Sequence, residues 1–245
     1  LDRMDAVFIK YPQLAKLALT PEDGYRLAKQ GKRAIYLGME NGYPLGQDLS
    51  LIDHFYRRGI RYITLCHSFD NDICDSSTDR DSSDDKGLSE FGRKVVRRMN
   101  DLGIMVDVSH ISSRSFFDVL EVSKAPILAS HSSVRALCDH PRNLSDEQLQ
   151  ALKKNGGVIQ ICIYSEYLRK ETPHPEKDRA RREFRARIRS QYGNFNEVKD
   201  PEIRKKIMQE YEDFQMKFPR DLATVKDAVP PLTKTPPPDP PPPCV

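Results

Sequence analysis

Two histidines, His110 and His131, each close a short run rich in β-branched and small residues, "VDVSH" and "ILASH". Glu40 closes a third such run within "GMENG", and His67 follows a fourth within "TLCHSFDND". Imidazole nitrogens and carboxylate oxygens are the donors of hydrolytic zinc sites, which commonly combine two histidines with one acid and keep a position open. An ion held this way polarises a carbonyl and lowers the pKa of bound water towards about 7. A histidine after a single strand is more often a hydrogen-bonded structural residue. Two at equivalent strand ends, with a glutamate at a third, favour a shared site. Each ligating ring then needs its second nitrogen anchored, and the sequence does not name the anchor.

Such a site needs strands that end on one rim. Strands are expected at 6–10 (AVFIK), 33–40, 60–67, 104–110, 126–132 and 157–164, each a short apolar run of the kind covered on both faces. Helical patterns lie between them at 20–31, 48–59, 88–103 and 144–157. Thr20 with Pro21, Ser89, and Ser145 with Gln148 three residues on are N-terminal signals, and Gly103 and Gly156 are stops. Alternating strands and helices imply a parallel sheet with right-handed crossovers. The expected fold is α/β, most of a (β/α)8 barrel whose active site lies at the carboxyl ends of the strands. A doubly wound open sheet is the alternative. No GxGxxG and no P-loop motif is present.

The 245 residues are 38% hydrophobic and 31% charged, and the net charge of +3 comes from nearly balanced totals. The charge therefore selects no partner class. Much of it lies in 169–220, read as charged helices attached to a single domain spanning 1–229. Basic residues from Arg179 to Arg189 are interleaved with acids, and no glycine-aromatic element accompanies them, so no nucleic-acid partner is expected. Residues 230–245 are proline-rich and read as extended or disordered. No apolar window of about 18 residues exists, so no transmembrane segment is expected. The start "LDRMD" shows no signal pattern. Five scattered cysteines without CxxC spacing read as reduced thiols. His54, His140 and His174 read as surface residues. The acidic stretch 70–85 lacks EF-hand spacing and reads as a solvated loop.

The blocks "GMENG", "YITLCHSFDND", "GIMVDVSHIS", "PILASHSSVRALCDHPRN" and "LKKNGGVIQICIY", in this order, resemble the membrane dipeptidase (renal dipeptidase) family of zinc peptidases. The resemblance covers roughly residues 1–168. It implies a (β/α)8 barrel with two zinc ions, dipeptides as substrates, and attack of a metal-bridging hydroxide on the peptide carbonyl. Matched residue by residue, it implies Glu40 as the bridging carboxylate and His110 and His131 as ligands of one zinc. It implies His67 beside the scissile carbonyl, and Arg142 on the substrate's C-terminal carboxylate. A homodimer is the assembly it implies. Members occur both anchored outside the cell and in bacteria, so the compartment stays open.

Two parts of that pattern are missing. No HxD motif precedes Asp5, and no DFDG-like motif follows "DLATVKDAV" (221–229). A barrel without its first and last strands has two open edges, so this chain alone is expected to be marginally stable and weakly active. At most one well-formed zinc site is expected. Three alternatives stand beside a dipeptidase. One is a non-catalytic metal-binding fragment, another is an amidohydrolase-type barrel, and the third is an interaction module built on the charged helices and proline tail.

Overall fold

The computed structural model describes residues 1–79, 85–170, 174–219 and 222–228. The chain divides into two compact units, one from Leu1 to Leu168 and one from Arg169 onward. The first unit runs α1 (Asp2–Lys10), β1 (Ala15–Leu17), α2 (Pro21–Lys29), β2 (Arg33–Ile35), β3 (Leu37–Glu40), α3 (Ser50–Arg57), β4 (Ile60–Thr64), α4 (Glu90–Leu102), β5 (Met105–Asp107), α5 (Ser113–Val122), β6 (Leu128–Ser132), α6 (Asp146–Asn155), β7 (Val158–Ile161) and α7 (Ser165–Leu168).

Five strands form one parallel sheet in chain order, β3-β4-β5-β6-β7. A doubly wound sheet reverses direction at a switch point, whereas this one winds one way throughout, as a barrel does. Among the described residues it is an open arc, not a closed barrel. β1 and β2 make a separate parallel pair. In the register of the arc, Glu40 lies beside Thr64 and Thr64 beside Asp107. The carboxyl ends of β3, β4 and β5 are therefore level.

Local signals explain most elements. Thr20 and Ser145 each complete a capping box, with Asp23 and Gln148 respectively. Ser89 accepts from the Gly92 amide, and Gly103 ends α4 in the left-handed conformation that glycine adopts without strain. Gly38 is required by a close approach: a Cβ there would meet the Tyr62 ring of the next strand at 2.1 Å. Helices α3 to α6 pack on one another in sequence along the sheet. Ile63, Val106 and Ala129 from the strands meet Val95, Met99, Phe116 and Val119 from the helices in one buried core.

Two expectations change. Residues 6–10 are not a strand but the end of α1. A run of four apolar residues does not separate the two states; here Asp2 and Asp5 sit in the first helical turn and Lys10 in the last, which suits the helix dipole. Asp2 and Asp5, three apart on one helix face, both reach Arg58, at 2.7 and 2.8 Å. The stretch 33–40 breaks at Tyr36 into β2 and β3, which belong to different sheets. The helix α5, capped by Ser112, was not anticipated from sequence.

The second unit contains α8 (Pro175–Tyr192), α9 (Pro201–Lys217) and a short α10 (Val225–Ala228). Phe184, Ile188 and Ile207 form its small core. Its charges pair locally, as in Arg179–Glu183 at 2.8 Å and Arg187–Glu210 at 2.7 Å, contacts worth little stability at an exposed surface. The proline-rich segment 230–245 lies outside the described residues. Among those described, no helix is long and apolar enough to cross a membrane.

Phe116 is the largest fully buried side chain of the first unit's core. Replacing it with Ala should cost roughly 3–5 kcal/mol, read as a lower urea midpoint. A change below about 1 kcal/mol would contradict the packing described.

Candidate active site

The four polar residues expected at the strand ends do converge. Glu40 is the last residue of β3, His67 follows β4, His110 follows β5, and His131 lies in β6. Glu40 Oε1 stands 3.1 Å from His131 Nε2, 3.3 Å from His110 Nε2 and 3.7 Å from His67 Nε2. His110 Nε2 and His131 Nε2 are 2.8 Å apart. Donor atoms of Glu40, His67 and His110 all lie within 4.8 Å of one another. The rings of His67 and His110 stack, with centroids 4.1 Å apart.

The backbone is bent to make this possible. Asn41 and His110 are the non-glycine residues with positive φ among those described, at 89° and 76°. Such conformations cost energy and persist only where the surroundings over-determine them. Asn41 Oδ1 accepts from the Tyr43 amide and from Asn71 Nδ2. The His110 carbonyl accepts from the Ser77 amide at 2.7 Å. Both turns re-aim a side chain at the end of its strand.

The histidines differ in what holds their second nitrogen. His131 Nδ1 is 2.7 Å from Ser130 Oγ, and that hydroxyl donates to the Asp107 carboxylate at 2.6 Å. His67 Nδ1 is 2.9 Å from Ser68 Oγ. His110 Nδ1 is buried without a well-formed hydrogen bond. Asp107, fully buried, also accepts from the Thr64 hydroxyl at 2.6 Å and from the amides of Ser109 and Ser130, each at 3.0 Å.

Arg142 is 3% exposed. The loop between β6 and α6 delivers it: Asn143 Nδ2 donates to the carbonyls of Cys138 and Tyr167, each at 2.8 Å. Arg142 Nη2 donates to the His131 carbonyl at 3.2 Å, while its Nε and Nη1 are buried with no hydrogen-bond partner. The guanidinium lies 5.4 Å from the centroid of the Tyr167 ring. Arg142, Glu40 and the three histidines line one open cavity of about 590 Å³, walled further by Phe69, Tyr164 and Tyr167. His140 lines it too, its ring 4.6 Å from that of Tyr167. Its expected surface role is thus corrected; the "PRN" that follows it gave no sign that the loop turns inward.

The described part of the acidic loop lines a second cleft, where Asp70 and Asp75 are engaged by nearby backbone amides. Asp70 accepts from the Ser76 amide at 2.7 Å, and Asp75 accepts from the amides of Lys86 and Gly87.

A one-way parallel arc carrying a histidine–carboxylate cluster at its carboxyl ends has the architecture of a metallohydrolase barrel. Comparison with known families matches residues 1–232 to the membrane dipeptidases, peptidase family M19. The chain belongs to that family. It is 42% identical over 151 residues to an uncharacterized dipeptidase of Schizosaccharomyces pombe, covering 61% of this chain and 35% of the relative. It is 39% identical over 163 residues to dipeptidase tcpJ of Claviceps purpurea, covering 66% and 38%. The fold matches the probable dipeptidase PvdM of Pseudomonas aeruginosa with a TM-score of 0.73, 34% identity and coverage of 93% of this chain and 60% of that one. A metallopeptidase of Rhodobacter sphaeroides, solved with a phosphinate mimic of the dipeptide L-Ala-D-Ala, matches with a TM-score of 0.64, 26% identity and coverage of 69% and 49%. The matched region thus spans little more than a third of the curated relatives.

Burial, then the nearby Arg142 charge, pull the His110 pKa from 6.5 down to about 2. The unfolded chain takes up that proton near pH 6.5 and the folded chain only near 2. His110 therefore contributes stability above pH 6.5 that is lost progressively as pH falls towards 2. In the metal-free protein, His110→Gln should flatten the acid-side loss of unfolding free energy by up to about 1.4 kcal/mol per pH unit. An unchanged slope would contradict the buried, neutral imidazole.

Proposed function

We propose that the cavity binds dipeptides and, with zinc held by Glu40, His110 and His131, hydrolyses their peptide bond. The observation that carries this reading is Arg142. A buried guanidinium with two unpartnered nitrogens shares a cavity with a carboxylate–histidine cluster.

The donor set suits the ion. The three donor atoms stand 2.8 to 3.3 Å apart. Ligands bonded to one tetrahedral zinc at about 2.0–2.1 Å lie about 3.3 Å from each other. When bound, zinc supplies Lewis acidity, polarising a carbonyl and acidifying a water. Everything else falls to the protein. Glu40, His110 and His131 come from the ends of β3, β5 and β6 of one sheet, so their spacing is set by the sheet and not by a mobile loop. His67 has the most exposed side chain of the three clustered histidines, at 43%, and lies farthest from Glu40. That suits a group meeting substrate better than one buried in a ligand shell. In the tautomer where the Ser68 hydroxyl donates to Nδ1, Nε2 of His67 carries the proton and can donate to an oxyanion as the scissile carbonyl becomes tetrahedral.

Arg142 fixes the other end of the substrate. Its Nε and Nη1 keep unengaged N–H groups, and one of them together with the second hydrogen of Nη2 makes the parallel pair that a carboxylate accepts in bidentate fashion. A dipeptide places a free carboxylate one residue from its only peptide bond, which explains why a carboxylate site belongs beside the cluster. Longer peptides would place that charge elsewhere.

The test is hydrolysis by the zinc-loaded chain of a small panel of dipeptides and their C-terminal amides. Cleavage of the free acids only, with Arg142→Met raising KM about 10- to 100-fold and changing kcat less, is the expected outcome, because hydrogen bonds to a charged group contribute about 1.5–3 kcal/mol. Equal cleavage of acids and amides, or none of either, would overturn the reading.

A further inference from the structure

We infer that Ser130, backed by Asp107, is a positioning residue for His131, locking its imidazole in the tautomer that presents a bare Nε2 to the cation site. The inference rests on the metal-binding reading above and adds to it the device that makes one ligand competent before any ion arrives.

Ser130 has a single O–H. Its oxygen lies 2.6 Å from Asp107 Oδ2 and 2.7 Å from His131 Nδ1. Asp107 also takes the Thr64 hydroxyl on that oxygen and two backbone amides on the other. It is an acceptor on every side, so the Ser130 proton goes to it. The contact between Ser130 and His131 still needs a proton, and only Nδ1 remains to provide one. His131 is then Nδ1–H, and Nε2 keeps its lone pair. That lone pair faces Glu40 Oε1 at 3.1 Å and His110 Nε2 at 2.8 Å.

A neutral imidazole can place its proton on either nitrogen. Only the form with bare Nε2 can ligate from this position, and a fixed tautomer removes the cost of selecting it. The other two clustered rings have no such chain. The anchor of His67 is the Ser68 hydroxyl alone, which can donate to Nδ1 or accept from it and leaves both tautomers open, and His110 Nδ1 has no well-formed hydrogen bond. The asymmetry matches a division of labour in which His131 is the pre-set ligand and His67 a donor to substrate.

A structural role for Asp107 is equally visible, since its bonds join β4, β5 and β6. The test therefore targets the Ser130 hydroxyl and leaves the Asp107 contacts to Thr64, Ser109 and the Ser130 amide in place. In the metal-free wild type at pH 8, ¹⁵N shifts of labelled histidine should show His131 with a protonated Nδ1 and a bare Nε2. Ser130→Ala should turn this into a mixture of tautomers and weaken Zn²⁺ binding, measured against a chromophoric chelator, by about 10- to 100-fold. Ser130→Thr, which keeps the hydroxyl, should restore both. Metal-free Ser130→Ala also loses one hydrogen bond to buried Asp107 and should melt lower than wild type, so the tautomer read from the ¹⁵N shifts, which lost stability alone does not move, is the deciding readout. Nε2–H in the wild type, or an unchanged tautomer in Ser130→Ala, overturns the inference. If no form of the chain binds Zn²⁺, the metal reading fails, and the shifts alone still decide the tautomer.

Discussion

The buried carboxylate of Asp107 is the contact on which the rest of the rim depends. It sits at the end of the sheet's central strand and accepts four hydrogen bonds, two from hydroxyls and two from amides. An unpaired carboxylate at zero exposure would cost several kcal/mol; four donors satisfy both oxygens. The donors come from Thr64 on β4, Ser130 on β6 and the backbone just past Asp107 itself. Meeting the demands of one carboxylate therefore draws three strand ends into register. Glu40, paired across the sheet with Thr64, follows through the backbone ladder.

Once the ends are level, the remaining task is aim. Strand geometry alternates side chains between faces, and a straight exit from β5 would not turn His110 towards Glu40 and His131. The positive φ at His110 makes that turn, at a cost in backbone energy that the Ser77 amide and the packed loop offset. The same holds at Asn41, whose side chain caps the turn immediately after Glu40. Two strained residues of this kind both adjoin the cluster. Strain concentrated there, among the described residues, marks the rim as the part of the fold shaped by ligand geometry.

Much of this was legible in the sequence because each ligand-type residue closes its own β-branched run. Period and punctuation identified α2, α4 and α6, whose caps form as their Thr, Ser and Gly residues announce. What escaped was non-local. Asp107 stands in plain view within "VDVSH", yet its role exists only when Thr64 and Ser130, 43 and 23 residues away in sequence, are brought alongside. His140 read as a loop residue because nothing local shows that its loop folds back over Tyr167. The end of helix α1 read as a strand because four apolar residues fit either period, and the salt bridges of Asp2 and Asp5 to Arg58 span more than 50 residues. Among the described residues the arc β3 to β7 is open at both sides.

The central claim is that Glu40, His110 and His131 form one cation site. X-ray absorption of the zinc-loaded chain addresses it directly. The account predicts a first shell of nitrogen and oxygen at about 2.0–2.1 Å with the outer-shell pattern of at least two imidazoles. Sulfur scattering at about 2.3 Å, which would place the ion on the buried thiols near Cys66 and Cys74, or zinc that washes out on buffer exchange, would contradict it.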